Sequence, residues 1–204
     1  MSAVTNVVFD IGNVLIRWNP RRLYSELIPD PALREWFLGH VCSDDWNREQ
    51  DRGRSFADGI AELVAEHPQW AREIRAWDAR WHDMVPGAID GSVHLLETLR
   101  AAGVPTWSIT NFSNEKYPEA LERFPFLTGF EDTVVSAHER LLKPDPAIYR
   151  ILVERNGLDP AKCLFIDDIA ANVLGARTIG MKAVIFTSPD RLAADLVAHG
   201  LPVT

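Results

Sequence analysis

The 204-residue chain is 47% hydrophobic and 25% charged, the proportions of an ordinary globular protein with room for one good core and a small accessory unit. Its net charge of −8 argues against a polyanionic partner such as nucleic acid, although a small phosphate ester would need only a local positive site. No apolar run approaches the roughly 20 residues that span a bilayer, the first residues lack signal-peptide features, and Cys42 and Cys163 stand far apart without zinc spacing, so a cytoplasmic protein that binds no membrane is expected.

The first predicted element is a short strand in which Val7, Val8 and Phe9 form the apolar, β-rich run of a strand buried on both faces. Asp10 closes it and Gly12-Asn13 turns the chain. A carboxylate at the carboxyl edge of a parallel sheet, beside a tight glycine turn, is placed where a nucleophile would stand, although such an Asp also serves as a turn cap. Six of the seven tryptophans then fall before Pro86, in segments of helical periodicity that read as an insertion. Trp70, Ile74, Trp77 and Trp81 mark one face of a single helix, and Ile60, Leu63 and Val64 mark another. Those rings read as core, whereas Trp18 and Trp46 lack helical spacing and are candidates for lining a cleft.

From Pro86-Gly87 onward helix and strand alternate, the signature of βαβ units. Strands are predicted at 105–110, 133–136, 163–166 and 183–186, with helices at 93–102, from Asp145-Pro146 to about 157, after Asp167-Asp168 through Gly175 to about 178, and from about 190. The fold class is therefore α/β, a doubly wound parallel five-stranded, Rossmann-like sheet. Right-handed crossovers bring the carboxyl ends of its strands to one edge, where Asp10, Thr110-Asn111, Lys143 and Asp167-Asp168 meet. Separately, each has a bland use as a turn, a surface charge or a helix cap. Together, three clustered carboxylates repel unless a hard divalent cation holds them, and Mg2+ suits an all-oxygen set. An Asp nucleophile, a hydroxyl-amide pair, one Lys and a cation make a phosphoryl-transfer site.

Across nearly its whole length the chain resembles the haloacid dehalogenase superfamily. Phe9-Asp10-Ile11-Gly12-Asn13-Val14 resembles its first motif, Thr110-Asn111 the second, Lys143-Pro144 the third, and Asp167-Asp168 through Asn172 with Gly175-Ala176 the fourth. The Asp-x-Gly-Asn-Val form is most similar to alpha-D-glucose-1-phosphate phosphatase-like members. The resemblance implies a core domain of 1–16 and 85–204 with a helical cap of 17–84. It implies a hydrolase in which Asp10 forms an aspartyl-phosphate, Thr110, Asn111 and Lys143 hold the phosphoryl group, and Lys143 also serves catalysis. Asp10, the Gly12 carbonyl and Asp168 would bind Mg2+, with Asp167 as a further ligand or a support behind them. The expected substrate is a small phosphorylated metabolite such as a sugar phosphate.

One departure stands out, since most phosphatases of the superfamily carry a general acid two residues after the nucleophile and this chain has Gly12. A stand-in from the cap could be His40, Asp44, Asp45, Glu49 or Asp51, and the sequence does not choose among them. Two other readings stand beside the phosphatase. A 2-haloacid dehalogenase uses an Asp nucleophile without metal, but the Asp167-Asp168 pair disfavours it. A catalytically weak phospholigand-binding protein is supported by Gly12 alone. Oligomeric state is not legible.

Overall fold

The computed structural model describes residues 3–203. Its centre is a parallel five-stranded sheet of order β3-β2-β1-β4-β5, formed by β1 (Asn6–Phe9), β2 (Thr106–Thr110), β3 (Thr133–Val135), β4 (Cys163–Asp167) and β5 (Lys182–Ile185). Period-two alternation divides the side chains between two cores. Val7, Phe9, Leu164 and Ile166 face one, and Val8, Ile109, Cys163 and Phe165 face the other. Both central strands are thus apolar on both faces, as strands covered by helices must be.

Between β1 and β2 the chain first builds six helices: α1 (Arg21–Leu27), α2 (Pro31–His40), α3 (Asp44–Asp51), α4 (Phe56–Glu66), α5 (Ala71–Ala79) and α6 (Trp81–Met84). Side-chain caps set several of their starts, Asp30 accepting from the Leu33 amide, Ser43 from that of Trp46 and Ser55 from that of Asp58. The remaining helices are α7 (Asp90–Ala101), α8 (Lys116–Arg123), α9 (Ser136–Glu139), α10 (Pro146–Arg155), α11 (Ala170–Thr178) and α12 (Pro189–Ala198). Leu95, Leu96 and Leu99 of α7 pack with Leu192 and Leu196 of α12 on one side of the sheet, and α10 and α11 cover the other.

The long helix expected from Trp70 to Trp81 is broken. Trp70 ends a 3-10 turn, and Arg80 leaves helical geometry (φ −121°, ψ 28°) between α5 and α6. There its guanidinium bonds Asp83 at 2.7 Å and Glu26 at 2.8 Å. The apolar stripe survives the break because Ile74, Trp77 and Trp81 still converge on one core. Trp77 lies at its centre, with Trp46 at 5.6 Å, Trp18 at 5.9 Å and Tyr24 at 5.9 Å between ring centroids. Trp46 is buried here, its indole N–H donating to the Gly59 carbonyl, rather than lining a cleft.

The two connections between the six-helix segment and the sheet run side by side. Arg17 N–H donates to the Gly87 carbonyl (2.9 Å), Asn19 N–H to Met84 (2.8 Å) and Ile89 N–H to Leu15 (2.8 Å). A strand order that reverses between β1 and β4 leaves a crevice at their carboxyl ends, the place where open α/β sheets receive ligands.

Candidate active site

β1 ends at Phe9, one residue earlier than expected, and releases Asp10 above the sheet edge, while β4 runs through Asp167. The adjacency of β1 and β4 brings these two carboxylates together. Lys143, 3% exposed, enters between them from the loop before α10. Its Nζ lies 2.8 Å from Asp10 Oδ1 and 2.7 Å from Asp167 Oδ2, and donates to the Ile109 carbonyl at 3.0 Å. A buried ammonium is costly, and short bonds to two carboxylates offset the loss of water. These carboxylates hold Lys143 above its usual pKa although burial opposes them.

Asp167 is held from every side. Asn172 Nδ2 reaches both of its oxygens at 3.0 Å and the Ile169 amide donates to Oδ1 at 2.8 Å. Asn172 is itself placed by the Tyr149 hydroxyl on its carbonyl. Asp10 accepts the Ile11 amide at 2.7 Å, yet burial, opposed by Lys143 and reinforced by Asp167 and Asp168, pushes it up to about 7. Asp168 is only half-buried; burial and Asp167 raise it too. Oxygens of Asp10, Asp167 and Asp168 all lie within 4.8 Å of one another. Asn13 adopts a left-handed φ of 53°, a conformation short polar side chains tolerate, and its Oδ1 accepts the Trp18 amide at 2.9 Å.

At the end of β2, Thr110 Oγ1 is buried without a hydrogen-bond partner among the described residues, an orphan whose cost a bound acceptor would remove. Asn111 grips the Lys143 main chain, with Nδ2 on its carbonyl (3.2 Å) and Oδ1 under its amide (2.9 Å). Gly175 lets α11 approach the same loop, since a Cβ there would lie 2.5 Å from the Pro144 carbonyl.

A cleft of about 170 Å³ opens over this floor. Trp18, Phe56, Trp81 and Phe112 supply its rings and Asn47, Asp51 and Ser113 its polar points. A family model described as haloacid dehalogenase-like hydrolase matches residues 4–180. The chain belongs to the haloacid dehalogenase-like hydrolases. It is 26% identical to a sesquiterpene phosphatase of Aspergillus oryzae, over 91% of this chain and 90% of that protein. It is 23% identical to a drimenol cyclase of Aspergillus calidoustus over 95% of this chain, but spans only 36% of that longer protein. The same fold occurs in a haloacid dehalogenase-family enzyme of Bacteroides thetaiotaomicron solved with magnesium and inorganic phosphate (TM-score 0.68, 21% identity, 91% of this chain and 95% of that one).

Within this haloacid dehalogenase-like fold, the structure brings together Asp10, Gly12, Asn111, Lys143 and Asp168 along one cavity, with Thr110 and Asp167 buried at the same strand ends. Of His40, Asp44, Asp45, Glu49 and Asp51, Asp51 alone lines that cavity among the described residues. His40 stacks on Trp36, Asp44 is exposed, and Asp45 and Glu49 lie in a separate cleft with Arg48 and Arg52. Sequence reasoning gave no role to Ser136, whose hydroxyl accepts the Phe112 amide and donates to the Asp51 carbonyl. Its position just past β3, at the common sheet edge, was the available signal.

Proposed function

We propose that the chain is an Mg2+-dependent phosphatase that hydrolyses a small phosphorylated metabolite through an aspartyl-phosphate on Asp10. The observation that carries this reading is the floor itself, where a buried Lys143 lies between Asp10 and Asp167 with Asp168 alongside. The donor set fits a hard cation, being all oxygen and closely spaced. Asp10, Asp168 and the Gly12 carbonyl would hold it, because the oxygens of Asp167 are engaged by Lys143, Asn172 and Ile169. Asp167 then acts by fixing Lys143. When bound, Mg2+ supplies charge neutralisation on the phosphoryl oxygens.

In this reading Asp10 attacks phosphorus in line, while the Lys143 ammonium and the orphan Thr110 hydroxyl donate to the equatorial oxygens. Asn111 serves by clamping the loop that carries Lys143. Residues 17–84 form a cap over the 1–16 and 85–204 core and exclude water from the attack. The aromatic walls of Trp18, Phe56, Trp81 and Phe112 favour an ester whose organic part presents an apolar face. A dehalogenase would have no use for three carboxylates on one floor. No helix among the described residues is long and apolar enough to cross a membrane. A cytoplasmic setting agrees with two buried free thiols, Cys42 and Cys163.

The test is turnover of sugar, terpenyl and aryl phosphates, and of 2-chloropropionate, with Mg2+ and with excess chelator. Phosphate release that disappears in chelator is expected. Full activity in chelator, or halide release in its place, would overturn the reading.

A further inference from the structure

An alkyl phosphate departs as a poor alkoxide unless a positioned acid protonates the bridging oxygen as its bond to phosphorus breaks. The floor has no proton to spare for this. Lys143 is held between Asp10 and Asp167, and Asp10 and Asp168 are the carboxylates assigned to attack and metal. Of the other titratable groups lining the cavity, Lys116 is turned into ion pairs with Asp78 at 2.7 Å and Glu119 at 2.8 Å. Asp51 is what remains.

Resting on the phosphatase reading, we propose that Asp51, the last residue of α3, is the general acid and base of the reaction. Its carboxyl is oriented by a chain of two hydrogen bonds. The buried Trp77 indole donates to Asn47 Oδ1 at 3.2 Å. Because indole can only donate, this bond fixes the amide so that Nδ2 faces Asp51 Oδ2, also at 3.2 Å. With Oδ2 accepting, the proton of the neutral acid rides on Oδ1. The main chain is anchored as well, since Ser136 donates to the Asp51 carbonyl across the cap-core boundary. A Cβ on Gly53 would stand 3.0 Å from the Ala137 carbonyl, so the 51–53 segment rests directly on the sheet domain. Burial chiefly raises the Asp51 carboxyl to about 7, with Asp10 acting in the same direction and Arg48 and Lys143 opposing. A group in that range can both give and take a proton at neutral pH.

The steps balance. As an Asp10 oxygen bonds to phosphorus, the bond from phosphorus to the ester oxygen breaks, and that oxygen takes the Asp51 proton to leave as an alcohol. A water then attacks the aspartyl-phosphate and gives one proton to the Asp51 carboxylate. The bond from phosphorus to Asp10 breaks, freeing inorganic phosphate and restoring both side chains.

The test uses the full-length, Mg2+-loaded enzyme and the ratio of kcat/KM for butyl phosphate over p-nitrophenyl phosphate. Asp51→Asn should lower this ratio about 10²-fold or more, because nitrophenolate departs without help. Gly12→Asp in the Asp51→Asn background should restore much of it. Gly12 lacks a left-handed φ and a Cβ there meets nothing within 4 Å, so the new carboxylate has room. In the wild-type background the ratio should gain far less from Gly12→Asp than it does in the Asp51→Asn background, since a proton is already delivered. An unaltered ratio in folded Asp51→Asn overturns the assignment. If that variant does not fold, a rise of about 10-fold or more from Gly12→Asp alone overturns it equally. Absence of phosphate release from the wild type on either ester would instead overturn the phosphatase reading beneath it.

Discussion

At the floor of the cavity Lys143 is gripped by Asp10 and Asp167 within 2.8 Å, whereas above it Trp18, Trp46 and Tyr24 meet Trp77 at ring separations of 5.6 to 5.9 Å. The floor depends on a few short, directional bonds among charges that water no longer reaches. Removing one partner there leaves another uncompensated, so even an isosteric change is felt in full. The roof depends on apolar area shared among many rings. A change there is graded by volume, except at Trp77, whose indole also holds Asn47 and through it Asp51. In the proposed function the floor supplies the nucleophile and the cation site, and the aromatic wall selects the ester that reaches them.

The largest expected effect breaks the floor. Asp10→Asn keeps the shape of the side chain but not its nucleophilicity, and should lower kcat on an aryl phosphate by more than about 10³-fold. A melting curve should show the fold retained, since Lys143 keeps its partner Asp167 when the Asp10 charge is gone. Retention of a tenth of the rate would assign the attack to another residue. Next, Lys143→Met leaves Asp10 and Asp167 facing each other without their cation and should cost about 3–5 kcal/mol in urea titrations. Added Mg2+ should recover part of that loss; a variant as stable as wild type in chelator would mean that the ammonium does not hold the floor together.

Trp81→Leu sharpens the comparison from the other side. It trims one cavity wall and should raise KM for a bulky apolar ester about 10-fold with little change in kcat. A fall in kcat alone would move Trp81 from roof to chemistry. The smallest effect is on pH dependence. Asp10 and Asp51 are both raised from 3.8 to about 7, so without added cation the folded chain holds more protons than the unfolded chain between those values. Stability should therefore decline as pH rises through that window, and Asp51→Asn should flatten part of the slope in a pH series of melts. An unaltered slope would place the Asp51 carboxyl in water.

The same contrast explains what was legible in the sequence. Asp10, Thr110, Asn111 and Asp167-Asp168 could be placed together because each sits at or just beyond a strand end, and parallel topology alone brings strand ends together; Lys143 lies farther on, past β3 and α9 in the loop before α10, and was legible through the Lys143-Pro144 motif. The bonds that orient them could not be read. Asn172 on Asp167 depends on how α11 leaves the sheet, and Ser136 on Asp51 depends on how the cap docks. In the roof, periodicity found the buried rings but joined Trp70 to Trp81 in one helix, because it carries no information about the break at Arg80. Helix α8 went unread, although the Ser113 hydroxyl caps its start by accepting the Lys116 amide. Its apolar positions are too few for a stripe, and Pro118 in its first turn reads as a breaker.

The crowding of tryptophans into the segment before Pro86 also gives the molecule an optical character. Six of its seven indoles lie there, while Trp107 stands apart on β2, hydrogen-bonded to Asn6 at 3.0 Å. Trp18 and Trp81 form part of the cavity wall, and Trp18 lies within 6.3 Å of Trp81 and 5.9 Å of Trp77, so excitation can pass between rings that touch a ligand and rings that do not. Intrinsic emission is therefore dominated by the roof, and under the proposed function the arrival of a phosphate analogue should register as a change in colour and intensity without any attached label.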